Sequence, residues 1–73
     1  MAEVRLQIPD ELVEELQKKL GSNVKATDIA RESVTLFNWA VNERANGRLV
    51  LSSDKEGEKM TRLAMPLLEK AAK

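Results

Sequence analysis

The sequence contains no cysteine and no histidine. Those two absences remove disulfide staples, thiol nucleophiles, imidazole general bases and the usual ligands of zinc, copper and haem. Tyrosine is missing too, and one Trp and one Phe make up the whole aromatic content. An excess of one charge is also lacking: 12 Lys and Arg balance 12 Asp and Glu, so the chain has no net field to draw in nucleic acid or an acidic membrane. No apolar run reaches the ~18 residues of a membrane helix. The acidic Glu3 stands where a signal peptide would carry basic residues, and a cytoplasmic location is expected. There is no glycine-rich phosphate loop, and Ser22, Ser33, Ser52 and Ser53 have no His to activate them. The chain is therefore not expected to be an enzyme, and no cofactor or metal is expected.

What is present is a chain of 73 residues, 42% hydrophobic and 33% charged, a globular rather than a disordered composition. A monomer of this size buries only about 60% of the surface its unfolded chain exposes. With no staples, no metal and few large aromatics, a second copy of the chain is the simplest way to complete the core.

Residues 3–8 alternate strictly, with Val4, Leu6 and Ile8 on one face and Glu3, Arg5 and Gln7 on the other, the period of a half-buried strand. Pro9 and Asp10 stop it, Pro because it cannot donate to a ladder and Asp10 because it can cap a following helix. From Glu11 to Leu20 the spacing of Leu12, Leu16 and Leu20, widened by Val13, predicts an amphipathic helix. Its acids lie early and Lys18 and Lys19 late, and Gly21 suits its end. Glu14 with Lys18 and Glu15 with Lys19 are i,i+4 pairs on its solvated face.

After Gly21-Ser22-Asn23 a second helix is predicted from Val24 or Lys25 to about Ala45, ended by Asn46-Gly47. Between Val34 and Val41 its apolar residues reach nearly all round, so two sides need covering, and the first helix can cover only one. Trp39 and Phe37 read as core or dimer-interface residues. Beyond Gly47 the composition changes. Arg48 to Ser52 reads as a strand, Lys55 to Glu58 as a turn, and Met60 to Met65 as a return strand closed by Pro66, followed by a short helix or tail. The competing reading makes residues 59–73 one helix broken at Pro66, because Met, Leu, Ala, Glu and Lys are good helix formers. Met60 and Met65 read as packing residues. The division is thus a domain over residues 1–46 and a C-terminal extension over 47–73.

An isolated strand leaves both backbone edges unpaired. If residues 4–8 pair with the same segment of a second copy, they form a symmetric antiparallel ribbon whose apolar face packs on the helices and whose other face shows Glu3, Arg5 and Gln7 twice. Pairing within the chain to Leu49–Leu51 would instead give a monomeric α+β domain.

The order strand, Pro9-Asp10, helix, Gly21-Ser22-Asn23, longer helix, with Ile29-Ala30-Arg31-Glu32-Ser33-Val34 leading to Leu36-Phe37-Asn38-Trp39, resembles the ribbon-helix-helix family of bacterial and phage DNA-binding proteins, the Arc and MetJ class. The resemblance covers residues 3–45 and lies in order and spacing. It implies a mainly α (α+β) homodimer with an intermolecular two-stranded ribbon in the major groove and the second helix starting against a phosphate; the residues beyond Gly47 add an expected C-terminal β-hairpin. A ribbon fits that groove, and Arg5 can bond guanine, Gln7 adenine and Glu3 cytosine. The plain alternative is that all three are the solvated face of a strand. For the phosphate contact the candidates are Asn23, counted from Gly21, Lys25, counted back from Ile29, and Thr27 as another cap. The dimer core would comprise Val4, Leu6, Ile8, Leu12, Leu16, Ile29, Val34, Phe37 and Val41.

The expected function is a homodimeric, sequence-specific DNA-binding protein, a small transcriptional regulator or antitoxin-type repressor. A dimerisation or protein-interaction module without DNA binding is the alternative, favoured by the balanced charge and by four acids against two lysines over residues 9–21. Residues 48–73 either bind a protein partner or widen the dimer.

Overall fold

The structure is a computed structural model and describes residues 7–72. It is mainly helical with one small antiparallel sheet, in the order α1 (Asp10–Leu20), α2 (Ala26–Ala45), β1 (Leu51–Ser52), β2 (Thr61–Arg62) and α3 (Pro66–Glu69). Contacts divide the chain into two compact units, one ending at Glu32 and one beginning at Ser33. The composition change at Gly47 lies inside the second.

In the first unit, Pro9 directly precedes α1, and its carbonyl accepts the N–H groups of Leu12 (3.0 Å) and Val13 (3.2 Å). Asp10 was expected as the cap; it is instead the first residue of the helix and makes no side-chain capping bond. The reason is the proline, whose φ of −55° is already helical while its ψ of 133° is not. Asp10 and Glu11 still meet the positive end of the helix dipole, and Lys18 and Lys19 the negative end. The Glu15–Lys19 pair closes at 3.3 Å. At the far end Gly21 takes φ 128° and ψ 139°, a conformation that essentially only glycine adopts, and its N–H returns to the Gln17 carbonyl at 2.8 Å. The chain turns at once, Val24 N–H reaching the Gly21 carbonyl, and the Gln17 side chain pins the turn by donating to the Val24 carbonyl at 2.8 Å.

In the second unit, α2 ends in a Schellman motif. Arg48 N–H bonds the Glu43 carbonyl at 2.9 Å and Gly47 N–H the Arg44 carbonyl at 3.0 Å, with Gly47 at φ 77°. β1 and β2 pair with Leu51 opposite Arg62 and Ser52 opposite Thr61, so both strands are shorter than the expected Arg48 to Ser52 and Met60 to Met65. The turn between them is organised by Asp54, whose Oδ1 accepts the N–H groups of Glu56 (3.1 Å) and Glu58 (2.8 Å). Residues 59–73 are not one helix broken at Pro66: the strand Thr61–Arg62 comes first, and α3 begins at Pro66 itself, the position where a missing N–H costs nothing. Leu68 of α3 is fully buried, worth roughly 2 kcal/mol of apolar burial.

Candidate nucleic-acid interface and dimer surface

Most of the proposed reading strand lies outside the described residues, including Glu3, Val4, Arg5 and Leu6. Its last two residues, Gln7 and Ile8, belong to no helix or strand. Gln7 is exposed and Ile8 half-buried. Among the described residues the one sheet is β1–β2, and Gln7 and Ile8 are not part of it.

The start of α2 is defined by its backbone. Lys25 immediately precedes Ala26, and its carbonyl accepts Asp28 N–H at 3.1 Å and Ile29 N–H at 3.2 Å, the bonds that open a helix. Lysine has no acceptor to offer the first N–H groups, so its contribution at this end is a positive charge beside an anion-attracting terminus. Thr27 is exposed in the first turn. Asn23 is exposed in the turn, its Oδ1 3.2 Å from where a Cβ on Gly21 would stand. A shallow cleft of about 290 Å³ lies beside this helix start, lined by Ile8, Asp10, Val13, Ala26, Thr27 and Ala30. It joins one candidate core residue, Ile8, to one candidate phosphate residue, Thr27.

Of the candidate dimer-core residues that are described, only Ile29 is buried by its own chain. Ile8, Leu16, Phe37 and Val41 are half-buried, and Leu12 and Val34 are exposed. No residue of α1 is buried, although the helix carries a clear leucine face. On the part of α2 in the second unit, Ala40 and Arg44 share the covered side. Leu36 and Trp39 form one apolar flank and Val34 and Val41 the other, as their spacing on a 3.6-residue period requires. Trp39 is 51% exposed, so the chain itself supplies no core for it. Met60 and Met65, expected as packing residues, are exposed as well, because the short strands around them form too small a sheet to cover them.

One cluster was missed in the sequence. Arg44 is only 8% exposed and donates to the Arg48 carbonyl at 3.0 Å and to Glu69 Oε1 at 3.1 Å. Arg62 of β2 donates to the same oxygen at 2.6 Å. One carboxylate thus ties α2, β2 and α3 together. The signal was present: Arg44 stands seven residues after Phe37 and four after Ala40, an apolar slot of the helix filled by a charge. Arg44 Nε and Glu69 Oε2 are buried without hydrogen-bond partners, so the cluster fixes position more than it adds net stability.

Among the described residues no helix is long and apolar enough to cross a membrane. Comparison with protein-family models, with curated proteins and with solved structures finds no match.

Proposed function

We propose that the protein is a homodimeric, sequence-specific DNA-binding protein of the ribbon-helix-helix kind, a small transcriptional regulator or antitoxin-type repressor and not an enzyme. In this reading residues 4–8 of two copies pair as an antiparallel ribbon. Arg5 and Gln7 read base edges, Glu3 flanks them, and the α2 start at Lys25 meets a phosphate. The C-terminal hairpin is an addition to that scaffold.

The observation that carries the reading is α1. It is an amphipathic helix of 11 residues with no fully buried side chain, Leu12 and Leu20 exposed and Val13 and Leu16 half-buried, placed between an alternating strand sequence and a longer helix that exposes Val34, Leu36 and Trp39. Exposed apolar faces mark sites of association, and in this reading a symmetric second copy covers those of both helices. The five-residue link ending at Lys25 places a cationic residue directly before the start of α2.

Selection from random duplex DNA at low and at high salt tests it. One preferred site should emerge, with affinity falling steeply as salt rises. Arg5→Ala and Gln7→Ala should each cost about 1–3 kcal/mol of discrimination while leaving the dimer folded. Absence of salt-dependent binding to any duplex would remove the DNA reading. The zero net charge favours a second reading, a dimerisation or protein-interaction module on the same scaffold, and that negative result would select it.

A further inference from the structure

We infer that the outer edge of β1 is a self-pairing edge, through which two copies of the chain join as antiparallel strands centred on Leu51 into a four-stranded sheet ordered β2-β1-β1-β2. The ladder dictates which groups are available. Leu63 N–H bonds the Val50 carbonyl at 2.8 Å, and bonded and non-bonded pairs alternate along antiparallel strands. The next pair, Leu51 with Arg62, is therefore the non-bonded one, and the N–H and C=O of Leu51 point away from β2. Among the described residues no strand takes up that edge.

The two edges of the sheet differ in charge. β2 is guarded by Lys59 and Arg62, the usual protection against unwanted strand addition, whereas residues 49–53 carry no charge and no proline. Leu49 and Leu51, two residues apart and so on one face, are 51% and 47% exposed.

A second copy fits this edge better than an unrelated segment because the sequence around Leu51 is complementary to itself. Antiparallel pairing centred there sets Leu51 against Leu51, Leu49 against Ser53, and Arg48 against Asp54 of the other copy. Arg48 is exposed and uses Nε for its own Glu43 at 3.3 Å, while Asp54 uses Oδ1 for its turn. The terminal nitrogens of the one and the second oxygen of the other are the groups that would meet. Opposite charges directly across a ladder stabilise it, twice over in a symmetric pair.

The test uses the full chain, which has no cysteine of its own. Bonded antiparallel partners have Cα atoms about 5.5 Å apart, inside the window for a disulfide. Leu51→Cys should thus form a covalent dimer under mild oxidation. Pairing raises the local thiol concentration from micromolar toward millimolar, so the reaction should run at least about tenfold faster than with Lys55→Cys in the turn. Arg48→Glu in the Leu51→Cys chain should slow it. Equal rates for Leu51→Cys and Lys55→Cys would overturn the proposal. A readout free of substitution is amide exchange in the unaltered chain. Leu51 N–H should be as protected as Ser52 N–H; free exchange at Leu51 beside a protected Ser52 would overturn the pairing. A protected Leu51 with slow cross-linking would mean another segment occupies the edge, and would overturn the assignment to a second copy. Neither readout depends on DNA binding, so this proposal and the DNA reading fail separately.

Discussion

Residues 7–32 bury one large apolar side chain, Ile29, while the residues from Ser33 onward seat Leu68 out of contact with water and tie it down through Arg44, Glu69 and Arg62. The first region has well-formed local structure, with a proline start, a glycine stop and a side-chain bond across its turn, yet its leucine face lies open. The second region makes long-range contacts of its own, 25 residues apart in the case of Arg44 and Glu69. Local signals are thus enough to form a helix, whereas keeping it folded requires something to pack against. The C-terminal extension finds that within the chain. For α1, we propose, it comes from another copy.

The difference can be tested by substitution. The largest effect is expected in the self-contained region: Leu68→Ala should cost about 3 kcal/mol in denaturant unfolding, because a fully buried leucine leaves a cavity. A cost under about 1 kcal/mol would show that α3 is dispensable to the second unit and would erase the contrast. Gly21→Ala should have a smaller effect, roughly 1–2 kcal/mol, since φ 128° is strained for any side chain and a Cβ would meet Asn23 Oδ1 at 3.2 Å. The same unfolding assay checks it. A neutral result would mean that the α1–α2 turn relaxes freely, sharpening the view that the first region has little tertiary structure of its own.

The helices and their ends were legible because their signals are local. The leucine spacing over residues 12–20, the glycines at 21 and 47 and the proline at 66 each act within one turn of the residues they govern. Where the reading of an end went astray, at Asp10, two local signals competed and the proline took the position before the helix. Of the Arg44 cluster only the charge in an apolar slot was legible; its partner Glu69 was not, since it is far along the chain and nothing in helical periodicity names the mate. The strands were overextended for a related reason: apolar runs bounded by turn residues mark 48–52 and 60–65 as extended, but only the ladder determines how many residues pair. In the candidate site, Lys25 at the start of α2 agrees with the count back from Ile29, since a helix keeps its own register from within.

The central claim is that a second copy completes this chain. Sedimentation equilibrium at micromolar concentration, on protein shown by circular dichroism to be folded, tests it most directly. The account predicts the mass of two copies or a multiple of it, with helicity lost as dilution separates them. A cooperatively folded monomer of 8.2 kDa would contradict it.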